Sequence, residues 1–189
     1  MIAAQLHFKS VEHTEFQEKH GKEKGAEICK NYGIISGTLE SIALVGLWIS
    51  PQPTFAIPVF PDFVISVGNF PTPILHLIFS LPLIMLAIWF GIGGVRAVGF
   101  RVSETHASPE KIVSTGVYSV VRHPQYLGWM LAHIGISALF SAWYSLLFTP
   151  VLLVIIYLIS RKEEEELIKE FGKEYEDYKK KVSMLIPLL

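Results

Sequence analysis

Four apolar stretches divided by charged segments constrain this chain more than any other feature. Tyr32–Ile49, Ile74–Val95, Gln125–Phe140 and Trp143–Ile159 run 18, 22, 16 and 17 residues with almost no charge. Their lengths approach the roughly 20 apolar residues that carry a helix across a bilayer. Lipid offers the backbone no hydrogen-bond partner, so such stretches must satisfy their own amides and fold as helices. The expected fold is therefore all-α: a polytopic integral membrane protein with about four transmembrane helices and a C-terminal amphipathic helix. Composition agrees, because 51% of the 189 residues are hydrophobic and only 17% are charged, against roughly 25% charged in soluble proteins.

Charge placement sets the expected orientation. Of the 16 Lys and Arg residues, five precede the first stretch, four lie between the second and third, and seven follow the fourth. Cationic segments stay on the cytoplasmic side, so both termini and the linker at 96–122 are expected there. Bases are interleaved with acids and the formal net charge is -1, which excludes nucleic acid as an expected partner. The lipid bilayer is the expected environment, and oligomeric state stays open. A single cysteine, Cys29, excludes an internal disulfide, and no Cys/His spacing matches a metal site. The polar, acid-rich opening is unlike a cleavable signal peptide.

Taken in order, residues 1–31 read as a polar cytoplasmic lead-in, solvated and partly helical. Its His7, His13 and His20 do not share a helix face at metal-binding spacing. Residues 32–95 hold the first two spans. Glu40 lies inside the first, where a carboxyl is costly and invites a functional reading; a protonated Glu40 hydrogen-bonded to a neighbouring helix, or one facing a watery crevice, is the favoured explanation. Six prolines, at 51, 53, 58, 61, 71 and 73, exclude a long helix from Ser50–Pro73 and imply a kinked loop at the outer interface. Pro82 is expected to kink the second span. Gly91, Gly93 and Gly94 suit close helix packing better than a phosphate loop.

Residues 96–189 carry the chemistry. Gly116–Met130 joins the linker to the third span through Arg122, His123 and Pro124. Proline favours the first helical turn, so a cation and an imidazole stand at an open helix end that itself attracts anions. The third and fourth spans are expected to form a hairpin turned at Ser141–Ala142. With no breaker before Gly172, the fourth runs on into Glu163–Glu166 and brings them to the same membrane face as Arg122. Leu167, Phe171, Tyr175, Tyr178 and Val182 then recur at helical spacing as one apolar stripe. A ligand with an anionic and a cationic end fits between the clusters, Arg122 taking the anion and Glu163 and Glu164 an ammonium or ribose hydroxyls. Tyr118, Tyr126 and Trp129 offer faces to a ring or a sulfonium. S-adenosylmethionine meets this description, and a dinucleotide meets it less neatly.

The run from Gly116-Val117-Tyr118 through Arg122-His123-Pro124-Gln125-Tyr126-Leu127-Gly128-Trp129 resembles the isoprenylcysteine carboxyl methyltransferase family. Glu163-Glu164, Phe171-Gly172-Lys173-Glu174-Tyr175 and Tyr178-Lys179-Lys180-Lys181-Val182 extend the similarity over about the last eighty residues. The wider group, which includes phospholipid methyltransferases, shares the Arg-His-Pro and Glu-Glu elements. The resemblance implies an integral membrane S-adenosylmethionine-dependent methyltransferase that methylates a lipophilic or prenylated acceptor at the cytoplasmic face. It implies a cofactor site of Tyr118, Arg122, His123, Pro124, Tyr126, Gly128, Glu163 and Glu164, with Gly128 letting backbone approach the cofactor. Arg122 and Glu163 are the expected catalytic residues, acting through position rather than as a base. The linker departs from the family, carrying Glu110-Lys111-Ile112-Val113 where relatives often have a histidine. Phospholipid N-methylation and thiol S-methylation are the nearest alternatives. An NADPH-dependent sterol-reductase-like enzyme and a non-catalytic membrane protein are more distant ones.

Overall fold

The computed structural model describes residues 2–55, 63–67, 70–99 and 111–187. Among them the chain is almost wholly helical. Two short helices, α1 (Ile2–Ser10) and α2 (His13–His20), precede the long α3 (Lys22–Ile49). A small hairpin of β1 (Val64–Val67) and β2 (Phe70–Pro73) leads into α4 (Ile74–Val98). A 3-10 turn at Gly116–Ser119 precedes α5 (Pro124–Leu139), α6 (Trp143–Phe171) and α7 (Lys173–Lys179).

Three helices, α3, α4 and α6, are long and apolar enough to cross a membrane. The third expected span appears as α5, but its 16 residues extend only about 24 Å at 1.5 Å per residue. It lies mainly along α4, and close backbone approach explains how. A Cβ on Gly128 would stand 2.9 Å from the Ala87 carbonyl oxygen and the Gly91 nitrogen, and one on Gly94 would stand 2.6 Å from Gln125 Cγ. Glycine there lets the two helices touch, as small residues do in membranes.

Two expectations need correction. The lead-in is not a free solvated arm: α1 and α2 pack on α3, α1 reaching Glu40 through His7, and α3 begins ten residues before the expected span. Val11 and Cys29 are buried in that contact region. The proline-rich stretch is not only a loop either. Residues Val64–Val67 pair antiparallel with Phe70–Pro73 in the register Val64↔Pro73, because in a two-stranded ribbon every strand is an edge and tolerates proline. Pro58 and Pro61 lie outside the described residues. Pro82 lies within α4 and Pro150 within α6, and each helix continues past its proline.

The α5–α6 turn falls where expected, with Ser141 in the left-handed region at φ 54°. At this end Ser141 Oγ meets His76 Nδ1 at 2.8 Å, and Trp143 N donates to the Pro53 carbonyl at 3.2 Å. His76 is buried. At the opposite end the chain's two halves meet. Thr14 N donates to Glu166 Oε2 at 2.8 Å, and Lys162 Nζ lies 3.4 Å from Glu12. The start of the chain and its tail therefore share one end of the bundle with the start of α5.

Candidate active site

The end of the bundle where these segments meet holds a polar cleft of about 140 Å³. Pro124 starts α5 at its first position with His123 as N-cap, so Gln125 and Tyr126 present the first helical turn to the cleft. Opposite, α6 runs unbroken past its apolar part to Phe171 and contributes Glu163 and Glu166. Gly172, at φ 55°, turns the chain so that α7 folds back, and Tyr175 and Tyr178 close the cleft beside Leu167 and Phe171. The apolar stripe expected in the tail thus packs over the cleft.

Arg122 lines the cleft and is anchored by Glu164 beneath it. Arg122 Nε donates to Glu164 Oε1 at 2.7 Å. Its Nη1 donates to the Lys179 carbonyl at 3.1 Å and to the Val182 carbonyl. Lys179 Nζ lies 2.8 Å from Glu164 Oε2, and His123 Nε2 lies 3.3 Å from Oε1. Glu164 is 1% exposed and does not line the cleft, so this carboxylate joins α6, the 122–123 segment and the tail. Backbone bonds reinforce the joint: Arg122 N to the Ser183 carbonyl at 2.9 Å and His123 N to the Met184 carbonyl at 3.1 Å. Of the Arg122 nitrogens, Nη2 makes no hydrogen bond to the described residues.

Glu163 stands one residue away with the opposite exposure. Its side chain is 37% exposed and lines the cleft, with Oε2 3.5 Å from His123 Nδ1. Burial alone would push the His123 pKa down, but the carboxylates of Glu163 and Glu164 outweigh it and raise it. Its ring stacks on Tyr126, centroids 5.5 Å apart and 13° from parallel. Tyr118 receives Gln125 Nε2 on its hydroxyl at 3.3 Å, and its carbonyl accepts Tyr178 Oη at 2.6 Å. Burial pushes the Tyr118 phenol up to about 12, with Gln125 opposing and Glu163 reinforcing the shift. It therefore stays protonated, a donor, throughout the physiological range.

Of the expected site residues, Tyr118, Arg122, His123, Pro124, Tyr126 and Glu163 line the cleft together. Glu164 sits beneath it, and Gly128 faces the α4 backbone at Ala87 and Gly91 rather than the cleft. Glu110, where the linker departs from the family, lies outside the described residues. Sequence reasoning gave Gln125, Glu166 and His13 no place in the cofactor site and did not single out Val11, yet all four line the cleft. Their only signal was position beside the motifs, or none.

A second, larger cavity of about 1150 Å³ opens among α3, α4, α5 and α6. Its wall is mostly apolar, and it shares Gln125 and Tyr126 with the polar cleft. A few polar groups interrupt the wall, among them His7, Glu40 and Arg96.

Together these features define a helical membrane protein with a charged cleft at one end of the bundle and an apolar chamber adjoining it. The sequence model of the family described as phospholipid methyltransferase matches residues 75–174, more than half of the chain, and the chain belongs to that family. A methanethiol S-methyltransferase of Crocosphaera subtropica is 33% identical over 100 residues, covering 53% of this chain and 38% of that protein. A protein-S-isoprenylcysteine O-methyltransferase of Schizosaccharomyces pombe is 32% identical over 137 residues, covering 67% and 58%. The corresponding human protein is 37% identical over 95 residues, covering 46% and 30%. The chain thus spans less than two thirds of the length of these relatives.

Proposed function

We propose that the chain is an S-adenosylmethionine-dependent methyltransferase of the membrane, acting on a lipophilic acceptor at the cytoplasmic face. The observation that carries this is the meeting of a charged cleft with a large apolar chamber at Gln125 and Tyr126. A polar methyl donor and an apolar acceptor then approach one another from different solvents. The names of the relatives, which span S- and O-methyltransferases, agree with it. Four crossings, α5 included, with both ends cytoplasmic, fit the contacts between the chain's start and its tail.

The cleft residues fit the donor's chemistry. Arg122 Nη2 and the first turn of α5 suit a carboxylate, and Glu163 suits an ammonium. The Tyr118 hydroxyl offers a donor, and the Tyr126 ring a face. At about 140 Å³ the cleft is below the roughly 300–1,000 Å³ of small-molecule sites, so its side chains must part when a nucleoside enters. S-adenosylmethionine supplies an electrophilic methyl group on a sulfonium. The protein's contribution is to hold the acceptor in line and keep water away.

Calorimetric titration of detergent-purified protein with S-adenosylhomocysteine and, separately, NADPH tests the proposal. Micromolar binding of the first, weakened at least tenfold in Glu163→Ala, is expected. Binding of NADPH alone would refute it.

A further inference from the structure

Tyr126, where cleft and chamber meet, is also the end of a hydrogen-bonded chain that donor binding does not use. His7 is 5% exposed. Its Nδ1 lies 3.0 Å and 3.1 Å from the two oxygens of Glu40, and its Nε2 lies 3.2 Å from Tyr126 Oη. In the tautomer whose Nδ1 donates to the Glu40 carboxylate, Nε2 is the acceptor and takes the Tyr126 O–H, in competition with the Glu163 carboxylate that also meets that hydroxyl. Three elements, α1, α3 and α5, are needed to build this line. All three side chains border the chamber.

A carboxylate in an apolar helix is costly and marks function by default. A carboxylate that fixes the tautomer of an imidazole, which in turn faces a hydroxyl, is the general arrangement of an activated base. We propose that Glu40, His7 and Tyr126 form a proton-accepting relay in the acceptor chamber, and that the acceptor is a lipophilic thiol. The inference rests on the methyl-transfer reading above. A carboxylate acceptor is already ionised and has no use for a base beside another carboxylate. An amine acceptor would bring a cation toward Arg96, which borders the same chamber. A thiol has one proton to lose, and its anion is compatible with Arg96.

The step balances as follows. The acceptor S–H bond breaks and its proton passes to Tyr126 Oη as the Tyr126 proton moves to His7 Nε2. The imidazolium is held by Glu40. The thiolate pair forms the new S–C bond while the bond from the methyl carbon to the donor's sulfonium breaks. The products are a thioether, the demethylated donor and one proton, left on His7 for release to water.

The test uses the full chain in detergent, with decanethiol as acceptor. Calorimetry with S-adenosylhomocysteine is read beside turnover. His7→Ala and Glu40→Gln should each lower thiol turnover about 100-fold or more at pH 7.5, in the range general-base groups contribute, with S-adenosylhomocysteine affinity kept within about threefold. The groups facing the relay are Glu40 from α3, Tyr126 from α5, Arg96 from α4 along the chamber wall and Glu163 from α6 beside Tyr126. A carboxylate such as Glu163 is ordinarily a weaker base than an imidazole, so the defect should persist at pH 7.5 and shrink about tenfold as pH rises toward the thiol's own pKa, which for an alkanethiol lies above the roughly 8.5 of cysteine. A structural defect would not recover in that way. Independently of turnover, decanethiol added to the wild-type S-adenosylhomocysteine complex at pH 7.5 should show thiolate ultraviolet absorbance that His7→Asn abolishes; the asparagine keeps an amide near Glu40 and guards against unfolding. A defect under threefold, a pH-independent defect, or wild-type protein that binds S-adenosylhomocysteine but leaves the thiol unmethylated overturns the relay alone. Wild-type protein that binds no S-adenosylhomocysteine overturns the methyltransferase reading and the relay with it.

Discussion

Replacing Glu164 by glutamine should unfold the protein earlier, whereas the same change at its neighbour Glu163 should weaken ligand binding and leave stability nearly intact. Glu164 is 1% exposed and takes Arg122 Nε at 2.7 Å, Lys179 Nζ at 2.8 Å and His123 Nε2 at 3.3 Å. Glutamine keeps the shape and one acceptor oxygen but loses the charge and the second oxygen. Arg122, whose side chain is 9% exposed, then stays buried without its counter-ion. Breaking a buried pair from one side costs about 3–5 kcal/mol, and the partly exposed Lys179 adds little. Glu163, with its side chain 37% exposed, should cost under about 1 kcal/mol on the same reasoning. Denaturant midpoints in detergent, followed by circular dichroism, measure one effect and S-adenosylhomocysteine calorimetry the other. Equal midpoints for the two variants, with equal losses of affinity, would refute the division of labour between these adjacent carboxylates.

Other consequences follow from the same geometry. Because the folded His123 pKa lies above its unfolded value of 6.5, its contribution to stability is complete below about pH 6.5 and is lost as pH rises through the raised value. Denaturant midpoints should therefore decline on the alkaline side, and His123→Gln should flatten that decline. Gly128→Ala would place a methyl 2.9 Å from α4 backbone atoms. Pushing the helices apart should cost about 1–3 kcal/mol, read as a lower unfolding midpoint. Gly37 borders the chamber with no atom within 4 Å of a would-be Cβ. Gly37→Leu should thus raise KM for a lipophilic acceptor severalfold while S-adenosylhomocysteine affinity, measured by calorimetry, is unchanged.

What was legible in the sequence was local. Contiguous apolar runs announce α3, α4 and α6 because hydropathy over twenty residues decides whether a segment leaves water. The proline after His123, the long run to Gly172 and the Glu163–Glu166 cluster placed the start of α5 and the polar end of α6 correctly, since helix starts and stops are written in adjacent residues. Which member of a pair faces the ligand was not legible. Glu163 and Glu164 differ only by one step around α6, and only packing against Arg122 and α7 buries one and opens the other. Gly128 belongs to helix contact for the same reason.

The N-terminal residues show the limit most clearly. His7 lies 33 positions from Glu40 and 119 from Tyr126, in a segment whose charge suggests solvent. Sequence alone determined that this is a helical membrane chain with a charged motif beside its third apolar stretch, because those properties are sums over neighbours. Tertiary structure decided which charges are joints, which face the cleft, and that the first helix closes on the chamber. Those depend on distances between residues far apart along the chain, which no local pattern encodes.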